Sequence, residues 1–160
     1  MTPRKELYIT IKERLREIEE LELIDLYRGQ FDSPGLNYPG EYTAALVRIN
    51  KVGYQSMVEN RQEGKATVDI LFYCKDGWMD QFAGTADPDS GLDEIDLLDG
   101  ITEKLQFLKG EQFTPMELTE EGTEGVDEEG TMAYRLTFTT QIYRQTAPRY
   151  AARKINLTTV

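Results

Sequence analysis

The chain has 160 residues with 29 acidic and 18 basic side chains, for a formal net charge of −11 at pH 7, and this length is typical of one domain. It has no histidine and one cysteine, which excludes imidazole catalysis, an internal disulfide and a Cys/His zinc site. A hydrophobic fraction of 39% excludes a disordered chain. Because charged residues recur along the chain, we expect no signal peptide, no membrane-spanning helix and an intracellular protein.

The charge is concentrated in the middle of the chain. Residues 76–130 carry two lysines against 17 carboxylates, whereas residues 131–160 carry five basic and no acidic side chains. Such a field repels nucleic acid over the middle third and attracts basic partners there. A solvated acidic surface that maintains solubility is the simpler interpretation.

The N-terminal third predicts a helix, a strand and a long loop. Thr2 and Pro3 suit the start of a helix, and apolar residues at helical spacing predict that helix over residues 3–20. These apolar residues are Leu7, Ile11, Leu15 and Ile18. Residues 23–27 follow as a short strand, and the Pro- and Gly-rich residues 29–40 as a loop.

The next two strands differ in pattern. Residues 41–52 are apolar on both faces in their middle, which is typical of a central strand. Residues 53–64 are polar and predict a hairpin excursion. Residues 66–74 alternate, which predicts a strand with one face in the core. The residues of that face are Ala66, Val68, Ile70, Phe72 and Cys74.

A second helix and two more strands complete the predicted domain. Residues 75–90 predict a loop, and Ser90 with Asp93 resembles a capping box. The helix that follows has an apolar stripe and ends at Gly110. The stripe consists of Leu92, Ile95, Leu98, Ile101, Leu105 and Leu108.

After this helix, residues 113–118 predict a short strand and residues 120–130 a flexible acidic turn. In residues 131–143 the alternation of side chains between two faces is the longest in the chain, and it predicts the longest strand. The order α-β-β-β-α-β-β indicates an α+β fold, a mostly antiparallel sheet of about five strands with two helices packed on it. Residues 1–144 form this single domain, and residues 145–160 are expected to leave it as an extended basic arm.

Two groups of carboxylates are candidates for a metal-binding or catalytic site. Residues 87–91 resemble the start of a calcium loop, but the positions that need Gly and Glu hold Leu92 and Leu98, so the motif fails. Asp96, Asp99 and Glu103 share one helix face, where they either serve hydrolysis or a divalent ion or form the solvated side of an amphipathic helix. We favour the solvated side.

The same residues define a hypothetical acidic surface rather than a reactive site. Its members are Asp87, Asp89, Asp96, Asp99 and Glu103. Cys74 has no histidine to activate it, and the sequence contains no phosphate loop or dinucleotide fingerprint. We therefore predict no catalytic, cofactor-binding or metal-binding residue and no cofactor, which argues against an enzyme.

The C-terminal arm is the remaining feature. Its basic and aromatic residues are Arg144, Arg149, Tyr150, Arg153 and Lys154. Three interpretations are open: docking on the acidic surface of a neighbouring subunit, a disordered tail, or nucleic-acid contact through phosphates and stacking. Docking is the most economical, because few positive charges next to a strongly acidic region bind nucleic acid poorly.

The element order and three local segments resemble the tail-terminator, or tail-completion, proteins of long-tailed bacteriophages and prophages. The segments are YPGEY at residues 38–42 before AALVRI, QEG at 62–64 before ATVDILFY, and LTFTTQIYR near the end. The resemblance covers about residues 3–144; the loop at 76–90 and the basic tail depart from it.

The resemblance implies a non-catalytic subunit that forms a ring, commonly a hexamer, at the head-proximal end of the tail tube. There it would stop tube growth and meet the head-neck connector, after assembly in the bacterial cytoplasm. From the short apolar runs and the acidic charge of the chain, we also expect no membrane partner and no specific nucleic-acid binding. The alternatives are an acidic protein-binding module, a DNA-mimic inhibitor, and a small hydrolase that uses Asp96 or Glu103.

Overall fold

The computed structural model describes residues 1–32, 43–58, 60–75, 77–78, 89, 91–126 and 130–147. These residues form two helices and five strands in the order α-β-β-β-α-β-β, which confirms the predicted α+β class. The helices are α1 (Pro3–Leu15) and α2 (Leu92–Leu105), and the strands are β1 (Leu23–Leu26), β2 (Ala44–Val58), β3 (Arg61–Lys75), β4 (Glu117–Val126) and β5 (Thr131–Gln145).

The five strands form one mixed sheet with the spatial order β1-β2-β3-β5-β4. Each neighbouring pair among β2, β3, β5 and β4 is antiparallel, whereas β1 runs parallel to the first residues of β2. The sheet is therefore mostly antiparallel, as the alternation patterns predict.

Both helices pack on one face of the sheet, here called the helix-covered face. The predicted inward residues of β3, from Ala66 to Cys74, are buried on this face against Leu7, Ile11 and Leu15 of α1. A smaller cluster lies on the opposite, open face, where Phe31 packs with Leu71 and Tyr73. Burial of alternate residues against the helices accounts for the strict period of two in β3.

The first helix is shorter than predicted. α1 ends at Leu15, and Arg16 is its C-terminal cap. The amide of Arg16 donates to Lys12 O. The amide of Ile18 bonds Leu15 O in a separate turn, and the Ile18 side chain still packs on the core. The apolar spacing therefore continues through a turn that is no longer helix.

The second helix differs from its prediction at both ends. It is preceded by Gly91 in a left-handed conformation (φ 89°), and Ser90 of the predicted capping box lies outside the described residues. Leu92 and Ile95 are exposed by 50% and 44%, so the first turn is not core. The helix ends at Leu105, well before Gly110.

Backbone pairing explains this early end. The amide of Phe107 donates to Met116 O and the amide of Met116 donates to Leu108 O, both at 2.8 Å. The chain after α2 therefore pairs with the segment that enters β4, and it cannot continue as a helix at the same time.

The strands are longer than predicted, and the fourth strand begins later in the chain than predicted. β2 and β3 extend through residues 53–58 and 61–65 as a continuous hairpin. The predicted acidic turn at 120–130 is wrong over most of its length, because residues 117–126 are strand β4, paired with β5. Within the predicted strand at 113–118, Phe113 forms only an isolated bridge with Ile142.

Two predicted loops fall largely outside the described residues, over 33–42 and 79–88. In the parts of the chain that the structure describes, no helix is long and apolar enough to cross a membrane.

Candidate assembly surfaces

The predicted acidic residues on α2 lie together on its outer side. Asp96, Asp99 and Glu103 are all exposed, and so is Asp89 before the helix, whereas Asp87 lies outside the described residues. Among the residues that the structure describes, no group of three His, Cys, Asp or Glu side chains is arranged to hold a metal ion. The described members of the cluster therefore lie exposed to solvent.

A groove of about 580 Å³ lies beside this surface. Its lining includes Asp93, Glu94 and Asp96 of α2, and Cys74 at the end of β3. Cys74 is buried, and its thiol lies 3.3 Å from Lys75 O and 3.8 Å from Glu94 Oε1. The single S–H can donate to either of these oxygens, and a buried thiol of this kind is typical of a structural cysteine.

Of the predicted basic residues, the structure describes only Arg144. It is exposed near the end of β5, paired with Gln62 of β3. The pairing continues past β5, where the amide of Thr146 donates to Asn60 O at 2.9 Å. Thr146 therefore lies beside the tip of the β2–β3 hairpin. Arg149, Tyr150, Arg153 and Lys154 lie outside the described residues.

The open face of the sheet contains a buried ion pair that the sequence analysis missed. Asp69 of β3 is fully buried, and Arg48 of β2 contacts its Oδ2 with Nε at 3.0 Å and Nη2 at 2.9 Å. Thr137 of β5 donates to the other carboxylate oxygen at 2.9 Å. Burial alone would lower the pKa of Arg48, but its hydrogen bonds to Asp69 and the charge of that carboxylate raise it.

These contacts join the three central strands. Arg48 and Asp69 are direct partners in the β2–β3 register, and Asp69 and Thr137 in the β3–β5 register. Both charges are neutralised and both carboxylate oxygens accept hydrogen bonds, so the cluster functions as a cross-strand clamp. The periodicity of β3 assigns Asp69 to the polar face, but it does not indicate that Arg48 lies opposite.

Aromatic rings cover one end of the open face. The Arg48 guanidinium lies 5.1 Å from the centre of the Tyr27 ring, and the rings of Phe31 and Tyr73 stack at 4.1 Å. The Tyr27 hydroxyl donates to Asp32, which raises the pKa of Tyr27. Burial raises the pKa of Tyr73. Both phenols are therefore neutral at physiological pH and act in packing rather than in proton transfer.

The β2–β3 hairpin projects beyond the core. Each strand has 15 residues, about 50 Å at the usual rise of ~3.3 Å per residue, against a typical strand of ~5–6 residues. The outer part, residues 51–58 and 61–65, is here called the hairpin arm. Most of its side chains are exposed, including Met57 (59%) and Val58 (55%). Exposed apolar side chains at the tip of a projecting element are typical of contact surfaces.

The sequence matches no model of a known protein family and no curated protein. Among solved structures, the chain is similar in fold to a chain in the virion of a native gene transfer agent (GTA) particle, with a TM-score of 0.60 and 11% sequence identity. The match covers 88% of this chain and 97% of that chain. At this identity the similarity establishes a shared fold.

Proposed function

We propose that this chain is a non-catalytic structural subunit of a phage-related virion. The fold similarity to a chain of a gene transfer agent virion carries the proposal, because it extends over nearly the whole of both chains. The surfaces agree with such a role: the described residues present a projecting hairpin, an exposed acidic helix face and a neutralised polar clamp. A subunit that works by surface contact needs no cofactor.

Within the virion, we assign the chain to the head-proximal end of the tail tube, as a tail terminator or tail-completion subunit. This assignment rests on the resemblance of its element order and of the segments at residues 38–49, 62–73 and 136–144 to that family. The subunits would form a ring, commonly a hexamer, that stops tube growth and joins the tube to the head-neck connector. Assembly would take place in the bacterial cytoplasm, and the mature protein would be part of the virion tail.

The acidic region suits the wall of a channel through which DNA passes. Carboxylates repel phosphates, so a lumen lined by Asp96, Asp99 and Glu103 would not retain DNA. The same carboxylates offer a docking surface for a basic segment of a neighbouring subunit. Which of these two roles they have depends on how the copies are arranged in the ring.

The basic arm is the proposed segment that docks on the neighbour. The triple substitution of Arg149, Arg153 and Lys154 to Ala should weaken self-association in sedimentation velocity, because it removes three charges that would face carboxylates. Substitution of the exposed cations Arg4, Lys5 and Arg16 to Ala is the matched control, since it removes the same charge from another surface. Equal effects of the two triple variants, or none, would contradict docking.

The tail-terminator role is tested by tube assembly. The tail-tube protein from the same genome is polymerised with and without the full chain, and tube lengths are measured by negative-stain electron microscopy. We expect shorter tubes with extra density at one end in the presence of the chain. Tubes of unchanged length without end density would reject the role. The DNA-mimic alternative predicts instead a monomer that competes with DNA for a nucleic-acid enzyme.

A further inference from the structure

Two edges of the sheet carry unpaired backbone. β1 covers β2 only from Ala44 to Val47, so no described strand pairs with residues 48–58 on the side away from β3. β4 is the strand at the opposite edge, and within the described chain its outer side meets no strand. Exposed edges of this length are templates for strand addition by another chain.

The two edges carry opposite charge. Residues 48–58 of β2 contain Lys51 and Arg48, of which Arg48 is already neutralised by Asp69, and no acidic residue, whereas β4 contains four glutamates. Two of these glutamates already pair with Arg135 of β5. Within the described residues, Lys51 on one edge and Glu117 and Glu121 on the other have no ion-pair partner. Like edges therefore repel each other and unlike edges attract.

The strand directions fit a joint between unlike edges. Each neighbouring pair from β2 through β3 and β5 to β4 is antiparallel, so β2 and β4 run in opposite directions. If copies are related by a rotation axis that runs roughly along the strands, β2 of one copy meets β4 of the next antiparallel. The alternation of strand directions then continues from copy to copy. β4 has ten residues, which matches the length of the uncovered part of β2.

The joint requires a defined stagger between copies. Glu121, near the middle of β4, is paired with Leu136 of β5. Leu136 is paired with Ile70 of β3, which is paired with Val47 of β2. The middle of the uncovered edge is near Gly53, about six residues further, or about 20 Å at ~3.3 Å per residue. Four strands at ~4.8 Å spacing span about 19 Å. The resulting tilt of about 45° lies at the upper end of the ~35–45° that closed barrels use.

We propose that residues 48–58 of β2 in one copy pair antiparallel with β4 of the next copy, so that the sheets join into one closed barrel. The proposal rests on the ring of the proposed function and specifies the surfaces that form it. The interface is head-to-tail, because the two edges are different parts of the chain. Such interfaces close into rings when each copy is rotated by a constant angle.

Charge reversal tests the joint. Lys51→Glu, and separately Glu117→Lys with Glu121→Lys, reverse the free charge of one edge, so that both edges carry charge of the same sign, and should each weaken self-association by about threefold. The three substitutions combined in one chain should restore self-association, because the charges are exchanged between the edges. Lys65→Glu is the matched control, since it lies on the central strand β3 and should leave self-association unchanged. Failure of the combined variant to recover would contradict the joint.

Cross-linking tests the same joint by position. Gln55→Cys lies on the uncovered edge and Thr119→Cys on β4, and both residues are exposed. With a short bis-maleimide, each single variant should remain uncross-linked, whereas a mixture of the two should give dimers and the double variant a ladder of multimers. Wild-type chain, with Cys74 alone, gives the background. The measurements are made with the chain alone and with tail tubes.

The outcomes separate the two proposals. If oligomers or capped tubes form but the mixture gives no cross-links, the β2–β4 joint is rejected and the proposed function stands. The same conclusion follows if a single variant cross-links. A chain that stays monomeric alone and does not bind tube ends would reject both.

Discussion

The inner and outer halves of the β2–β3 hairpin have the same strands but different surroundings. In the inner half, Val68 and Ile70 are completely buried under the helices. In the outer half, Met57 and Val58 are more than half exposed, and among the described strands only the end of β5 pairs with the hairpin there. The comparison indicates that the fold is stabilised by the inner half, which leaves the side chains of the hairpin arm available for contacts with other chains.

Arg48 lies where the two halves meet, and its removal should have the largest effect. Arg48→Ala leaves the carboxylate of Asp69 buried without its counter-ion, so we expect a loss of about 3 kcal/mol in the free energy of unfolding. This is the lower end of the ~3–5 kcal/mol for a broken buried pair, because the Arg48 side chain is 32% exposed. Urea denaturation measures the loss. Lys65→Ala, an exposed cation nearby on β3, should change stability by less than about 0.5 kcal/mol.

Two matched valines compare the halves directly. Val68→Ala should cost about 2–3 kcal/mol, because it removes buried carbons and leaves a cavity. Val58→Ala makes the same change in the hairpin arm and should cost less than about 0.5 kcal/mol. Thermal or urea unfolding of both variants checks the difference. Equal losses would mean that the arm is as important to stability as the core.

Gly64 tests how the hairpin arm is packed. A Cβ at this position would lie 2.8 Å from Cδ1 of the Tyr54 ring, so Gly64→Ala must displace that ring. We expect a cost of about 1 kcal/mol, small because Tyr54 is 37% exposed and able to move. In a Tyr54→Ala background the same substitution should cost less, because Cγ1 of Val52, at 3.0 Å from the added Cβ, is then the close neighbour that remains. A double-mutant cycle by urea unfolding measures this coupling, and additive effects would contradict the contact.

The smallest effect concerns a surface ion pair away from the hairpin. Lys104 of α2 donates to Glu17 at 2.9 Å, and this hydrogen bond, aided by Arg14, lowers the pKa of Glu17 from its usual 4.5. The pair therefore stabilises the fold above about pH 4.5, and the effect is lost as the pH falls through the lowered pKa. In Lys104→Met, the pKa of Glu17 should rise toward 4.5 in an NMR titration. Arg14→Met should raise it less.

The parts of the fold with a clear period were predictable from the sequence. The alternation of residues 66–74 and the apolar spacing from Leu7 to Leu15 each identified a buried face, because burial on one side imposes that period. The exposed positions of Asp96, Asp99 and Glu103 also follow from the pattern of α2. Their role as a contact surface remains a prediction.

The parts stabilised by pairing rather than by burial were not predictable. β4 is rich in Glu and Gly, which strands disfavour, and it forms because it pairs with β5 and because Arg135 contacts Glu120 and Glu124. The hairpin predicted over residues 53–64 is present, but its polar residues show no period, so its continuation of β2 and β3 as paired strands was not predicted. Arg48 and Asp69 meet only through the β2–β3 register, which a single sequence does not reveal.

We propose that the chain acts through contacts with copies of itself and with other virion proteins. Native mass spectrometry of the full chain, alone and with the tail-tube protein of the same genome, tests it most directly. We expect a particle whose mass is a multiple of the 18.4 kDa chain mass, about 110 kDa for six copies. It should form with the chain alone or once tube protein is added. A chain that remains at 18.4 kDa in both samples would contradict the claim.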